Sequence, residues 1–139
     1  MANKNSRFLT KAKPPPQSIN SHTIENKILL GLFPAHCSDL FPSLEFIELP
    51  IRKVLNETGE RINYCYFVNS GLVSVLNVMN DGKSVEVGLS GREGFVGLPV
   101  IVGFRTSASR AVVQIAATAL RIQAAKLVSL LPRCPSLRY

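Results

Sequence analysis

The sequence predicts a mainly β fold, a barrel or jelly roll with short flanking α-helices. From Leu44 onward, short apolar runs of period two alternate with Gly, Asn and Pro. One turn, Asn80-Asp81-Gly82, joins two of these runs with residues that tolerate the positive φ angles of a tight hairpin. Several short strands in succession, with helical patterns only near the two ends, are typical of such a roll.

The amino-terminal segment divides into a leader and helical residues. Residues 1–22 combine Asn, Ser, Lys and three consecutive prolines with few large apolar side chains, so we expect a flexible basic leader there. Thr23 precedes an apolar repeat of helical spacing, and a short helix is expected after that residue, ending near Gly31 and Pro34. A second short helix is expected over residues 35–40, before a proline.

Three strands surround the hairpin turn. The runs 64–68 and 72–79 are rich in aromatic and β-branched residues and are predicted as strands. No basic residue separates the aromatic side chains of the first run, so we expect them in the core and not in a base-stacking platform. After the turn, apolar residues at 85, 87 and 89 alternate with polar residues or glycine. This alternation predicts a strand with one buried face.

The last strands precede a carboxy-terminal helix. In residues 110–116 the odd-numbered apolar side chains are expected on the face opposite Arg110. Residues 118–122 close the strand series. Good helix formers over 124–131 predict a helix that Pro132 ends.

Length and charge limit the function classes. The 139 residues fit one domain, and the net charge of +7 is concentrated at the two ends of the chain. Residues 25–120 carry eight basic and nine acidic side chains, so the centre has no nucleic-acid signature. No run of roughly 18 apolar residues and no signal peptide is present, and we expect a cytoplasmic protein without membrane contact.

The cysteines and histidines argue against a metal site and against catalysis. Cys37, Cys65 and Cys134 are odd in number and contain no Cys-x-x-Cys pair, so reduced thiols are expected. Only His22 and His36 are present, both in the first third of the chain, and a jelly-roll metalloenzyme needs a histidine cluster on its strands. We therefore predict no metal ligand and no metalloenzyme of this kind.

The most specific pattern lies between Thr58 and Gly97. It opens on Gly59-Glu60, continues through Tyr66-Phe67-Val68 and Ser70-Gly71-Leu72-Val73, and ends in a glycine-rich corner. This order resembles the cyclic-nucleotide-binding domain of the Crp/Fnr family of bacterial transcription regulators. The resemblance covers roughly residues 27–131. It implies a double-stranded β-helix of that type. It also implies a domain that senses a signal and does not catalyse, and so has no catalytic residue and no enzyme activity.

The resemblance also implies a ligand site. Phe95-Val96-Gly97 and Arg110-Ala111 are similar to the two ends of the family's phosphate-binding cassette, which places Gly97, Leu98, Arg110 and Ala111 at the site. A guanidinium binds phosphate oxygens bidentately, and Arg105 is a second candidate for an anion. Leu98 stands where ligand-binding members carry a glutamate, and an unpaired ligand hydroxyl would cost roughly 1–3 kcal/mol.

Two functions follow, and the sequence leaves both open. The first is an effector domain that binds a small phosphate-containing anion such as a cyclic nucleotide, with Arg110 on the phosphate. The second is a ligand-free interaction module, in which Arg110 is an exposed strand residue or pairs with an acid such as Glu86 or Glu93.

The resemblance bears on the domain's extent and partners as well. We expect the domain to span 23–139 and to end where the family's dimerisation helix would begin. Without the family's helix-turn-helix, this chain alone is not expected to bind DNA sequence-specifically. A second copy or another regulator protein is left open as the partner.

Overall fold

The computed structural model describes residues 18–19, 22–32, 37 and 39–134. Within these ranges the strands are β1 Ser18–Ile19, β2 His22–Thr23, β3 Glu45–Leu49, β4 Val54–Asn56, β5 Tyr64–Val78, β6 Ser84–Ser90, β7 Phe95–Val96 and β8 Arg110–Gln123. The α-helices are α1 Lys27–Leu30, α2 Leu98–Ile101 and α3 Ala124–Leu130, and single 3₁₀ turns cover Phe41–Ser43 and Leu131–Arg133. The predicted mainly β fold with short helices is confirmed.

One antiparallel sheet contains most of the strands. Its order is β3-β8-β5-β6, with β4 also paired to β8 and β7 also paired to β5. The two predicted runs 64–68 and 72–79 form a single strand, β5, whose register shifts around Gly71. Gly71 has φ 79°, and a Cβ there would lie 2.7 Å from the Cβ of Ala117, so only glycine fits this bend. The bend lets one long strand serve both halves of the roll.

Two hydrophobic cores lie on opposite faces of β5, since Cys65 and Phe67 belong to the larger core whereas Tyr66 and Val68 belong to the smaller. The larger contains Phe67 and Phe95, whose rings are 4.8 Å apart, together with the buried leucines of α1 and α3. The smaller fills the roll with short side chains, among them Val73, Val113 and Ala117. The aromatic run of β5 is therefore core, as predicted.

The hairpin prediction is confirmed as well. The register of β5 and β6 ends at the pair Val78 and Ser84, and Gly82 has φ 86° between them. The Met79 N–H donates to Lys83 O at 2.7 Å, which closes the turn.

A buried polar network ties the amino-terminal helix to the sheet. The Asn26 side chain caps α1 by accepting from the N–H groups of Ile28 and Leu29, and its Nδ2 donates to Val68 O at 2.6 Å. Asn69 Oδ1 in turn accepts from the Asn26 N–H at 3.0 Å. The predicted helix start directly after Thr23 is therefore wrong, because Asn26 supplies the cap and α1 begins at Lys27.

The burial prediction for β6 is wrong. Val85, Val87 and Leu89 are all more than half exposed, because β6 lies at the edge of the sheet and pairs with β5 alone. In β8, Ala111 and Val113 are buried on the face opposite Arg110, whereas Ile115 is exposed because the register with β5 shifts opposite the Gly71 bend.

The cysteine prediction is wrong for two of the three residues. Cys37 and Cys134 form a disulfide across a sequence separation of 97, with their Cα atoms 4.7 Å apart. This pairing could not be predicted from cysteine spacing, because it depends on the packing of the carboxy-terminal turn against the amino-terminal segment. Cys65 is free, and its burial raises the pKa of the thiol to about 12.

Several predictions for the ends of the chain fall outside the described residues. Most of the leader is among them, although Ser18–Ile19 pairs with His22–Thr23 as a short two-stranded ribbon. Most of the predicted 35–40 helix, including His36, is also outside, and a 3₁₀ turn at Phe41–Ser43 follows it. In the part of the chain that is described, no helix is long and apolar enough to cross a bilayer.

Candidate cyclic-nucleotide cassette

Gly97 occupies a backbone position that excludes other residues. Its φ is 120°, and a Cβ there would lie 2.7 Å from Cys65 Sγ. It precedes the four-residue helix α2, and its carbonyl accepts from the Val100 N–H at 3.0 Å. The glycine of the predicted cassette therefore has a steric role in packing α2 against β5, whatever binds nearby.

Leu98 opens α2 on the surface. Its relative exposure is 62%, and Pro99 follows it in the first turn of the helix. An alkyl side chain offers no acceptor to a ribose hydroxyl, so this position cannot perform the role of the family's glutamate.

Arg110 begins β8 and is paired within the protein. Its Nε donates to Glu57 Oε1 at 2.7 Å, and the two side chains are 34% and 33% exposed. The partner is thus neither Glu86 nor Glu93, the two acids that the sequence suggested. Glu57 follows β4 directly, and the pairing of β4 with the first residues of β8 brings it to Arg110.

The electrostatics of this pair favour its ionised form. The Arg110 hydrogen bond is the largest cause that lowers the pKa of Glu57, and the Thr58 N–H, which donates to the same carboxylate at 3.0 Å, adds to the effect. Glu57 is therefore a carboxylate at neutral pH and competes with any other anion for the guanidinium.

Ala111 lies on the other face of β8. Successive side chains of a strand point to opposite faces, and Ala111 is buried in the small core with Val113 while Arg110 is half-exposed. The predicted site residues also lie at different points of the β5 ladder, since Gly97 contacts Cys65 whereas Arg110 pairs with Leu76.

The loop before Arg110 is bound to the protein's own polar groups. The Gly59 N–H donates to Ser107 O at 2.9 Å, and Arg61 forms an isolated bridge with Thr106. Ser109 Oγ donates to Asn77 Oδ1 at 2.7 Å. An anion that enters here would have to compete with these contacts as well as with Glu57.

A separate groove lies beside α2 and α3. It has a volume of about 1280 Å³, and its lining includes Arg61 and Arg105 but neither Arg110 nor Ala111. The sequence suggested Arg105 only as a second anion contact and gave no indication of the groove. No group of three or more His, Cys, Asp or Glu side chains suited to a metal ion occurs within the described ranges.

Comparison with known proteins gives the family. The family described as cyclic nucleotide-binding domain matches residues 46–134, well over half of the chain. The chain therefore belongs to the cyclic nucleotide-binding domain family. No curated protein matches the sequence.

Solved structures show the same fold at low identity. A regulatory subunit of a cAMP-independent protein kinase A from Trypanosoma brucei, a mutant with cAMP in its A site, has a TM-score of 0.68 at 18% identity. The match covers 81% of this chain but only 42% of that one. The catabolite activator protein of Thermus thermophilus gives 0.66 at 19% identity, over 79% of this chain and 52% of that one.

A third similar structure is itself a single domain. The sensor domain of the transcriptional regulator DNR from Pseudomonas aeruginosa has a TM-score of 0.64 at 14% identity, covering 75% of this chain and 70% of that domain. The chain is thus similar in fold to regulatory domains of both kinase subunits and transcription regulators.

Proposed function

We propose that this chain is a non-enzymatic regulatory domain of the Crp/Fnr effector type that works without a cyclic nucleotide. The observation that carries the proposal is the 2.7 Å contact between Arg110 Nε and Glu57 Oε1. A carboxylate of the protein already accepts the Nε–H of the guanidinium that would otherwise bind a ligand's phosphate. The domain then acts through contacts of its surface with another protein.

The position of Leu98 supports the same conclusion. Its side chain offers no acceptor, so a ribose hydroxyl left unpaired on binding would cost roughly 1–3 kcal/mol, or about one to two orders of magnitude in affinity. Displacement of Glu57 from Arg110 adds a further cost, because a phosphate must replace an existing charge-assisted hydrogen bond. Both effects weaken nucleotide binding in the same direction.

A cyclic-nucleotide sensor is the second candidate. The Arg110 side chain is one-third exposed, so an anion can reach it from solvent. The kinase regulatory subunit that was solved with cAMP in its A site has a fold similar to that of this chain. In this alternative the phosphate displaces Glu57, and the ligand shifts the domain between two conformations by binding one of them more tightly.

Isothermal titration with cyclic AMP and cyclic GMP tests the proposal. The wild-type domain is expected to give no saturable heat at millimolar nucleotide. Glu57→Gln removes the competing charge while it keeps the side-chain shape, and its affinity is expected to rise by about tenfold or more. Glu48→Gln, which changes an exposed acid on β3, is the matched control and should match the wild type.

Tight binding by the wild type would overturn the proposal. If that binding is saturable and Arg110→Ala abolishes it, the chain is a nucleotide sensor and the second candidate is correct.

A further inference from the structure

The groove beside α2 and α3 has an unusual apolar lining. Val102 is 70% exposed, Phe104 is 65% exposed and Val128 is 50% exposed. Val102 and Phe104 belong to the segment that follows α2, and Val128 lies on α3. Three large apolar side chains that face solvent around one concave surface are typical of a binding site.

The charge of the groove has one sign. Arg61 and Arg105 both line it, and no Asp or Glu of the described residues does. Neither arginine forms an ion pair with a carboxylate of the described residues, unlike Arg110, Arg121 and Arg133. The two guanidinium groups are therefore available to a partner that brings acidic groups.

The size of the groove indicates the kind of partner. Its volume of about 1280 Å³ exceeds the roughly 300–1,000 Å³ of most small-molecule pockets. An open apolar groove between short helices suits an amphipathic helix, which inserts residues spaced by three and four positions. Acidic residues that flank such an apolar stripe would meet the two arginines.

We propose that this groove docks an amphipathic helix with acidic side chains beside its apolar stripe, supplied by another protein. The known residues of this chain that lie outside the described ranges do not suit the charge, because none of them is acidic. The inference rests on the proposed function in one respect, since a regulatory domain without a ligand has to act through such a surface.

Fluorescence anisotropy with two labelled peptides tests the proposal. The first is a designed amphipathic helix of about five turns with leucines on one face and glutamates beside them. The second is its twin with every glutamate replaced by lysine. The acidic peptide is expected to bind saturably in the micromolar range, and the basic twin to bind about tenfold or more weakly.

Matched variants locate the binding. Arg61→Glu with Arg105→Glu is expected to weaken the acidic peptide by roughly tenfold or more. Phe104→Ser should weaken it similarly, because the ring lies largely in solvent in the free protein and contributes little to folding. The controls Lys53→Glu and Ile51→Ser alter an exposed charge and an exposed apolar residue at the turn after β3, outside the groove. Both should leave the binding unchanged, and melting temperatures confirm that every variant is folded.

Three results would overturn the inference. They are the absence of saturable peptide binding, equal binding of the two peptides, and equal loss in the groove variants and their controls. Binding to vesicles of anionic phospholipid is measured in the same experiment for the wild type and the groove variants. Vesicle binding that is lost in the groove variants, without peptide binding, would assign the groove to a membrane surface instead.

Nucleotide titration of the same preparations separates this inference from the proposed function. Tight cyclic AMP binding together with groove-dependent peptide binding would refute the proposed function and leave the helix-docking groove standing. Absence of both nucleotide binding and peptide binding would refute helix docking in the groove and leave the proposed function standing.

Discussion

The two ends of the β5–β8 ladder differ in how they are held. At the end where β5 begins, Cys65 and Phe67 are buried in a core that includes residues of α1, α2 and α3. At the end where β5 finishes, Leu76 pairs with Arg110 beside the open edge strand β6, and the short strand β4 on the other side of β8 leads into the partly exposed ion pair of Glu57 with Arg110. We therefore expect the larger contribution to stability from the first end, while the candidate phosphate contact lies at the second. Variants should divide accordingly.

Truncation of Phe67 should produce the largest loss. The ring is fully buried against Phe95, and Phe67→Ala should lower the free energy of unfolding by about 3–5 kcal/mol. Urea denaturation measures the change. Leu76→Ala, at the loosely held end of the same strand, should cost clearly less. Equal losses at the two ends would contradict the comparison.

Loss of the disulfide should cause the second-largest decrease in the free energy of unfolding. The Cys37–Cys134 bond closes a loop of 97 residues, and its removal in Cys37→Ser with Cys134→Ser should cost about 2–5 kcal/mol. Thermal unfolding with and without a dithiol reductant checks this. The double variant should be insensitive to the reductant. An unchanged melting temperature of the reduced wild type would show that the pair adds no stability.

The Asn26 hydrogen-bond network should contribute less to the free energy of unfolding than either Phe67 or the disulfide. Asn26→Ala removes the cap of α1 and leaves two carbonyls, of Val68 and Gly94, without their donor. A loss of about 2 kcal/mol is expected from the cap and the unpaired groups together. Hydrogen exchange of the α1 amides should accelerate in the variant. Unaltered protection there would contradict the role of this side chain.

The Glu57–Arg110 pair should have the smallest effect on stability at neutral pH, because both groups are partly exposed. The pKa of Glu57 is lower in the folded protein than the ordinary value of 4.5, so its stabilisation is present above that pH. It is lost as the pH falls through the lowered folded value. Unfolding measured from pH 7 down to pH 2 should therefore show an acid-dependent difference between wild type and Glu57→Gln that closes at the lowest pH.

The sequence predicted those helices, strands and turns whose formation depends on residues close together in the chain. The Asn80-Asp81-Gly82 turn, the strand character of β5 and the helix that begins at Ala124 each follow from residues close in sequence. Gly71 and Gly97 of the motif both have positive φ, but the close approaches that exclude a side chain there come from the distant residues Ala117 and Cys65.

Contacts between residues far apart in the sequence could not be predicted from these local patterns. Glu57 meets Arg110 only because β4 pairs with the start of β8, and nothing in the sequence near Arg110 distinguishes Glu57 from Glu86 or Glu93. The exposure of the alternating residues in β6 depends on its place at the edge of the sheet, and alternation alone does not reveal which strand is at the edge.

The most direct test of the account is the NMR signal of the Arg110 Nε–Hε group, assigned by its loss in Arg110→Lys. The account predicts that this signal shifts in Glu57→Gln and does not respond to millimolar cyclic AMP in the wild type. A saturable shift with cyclic AMP in the wild type, together with an unchanged signal in Glu57→Gln, would show that the arginine serves a ligand and not Glu57.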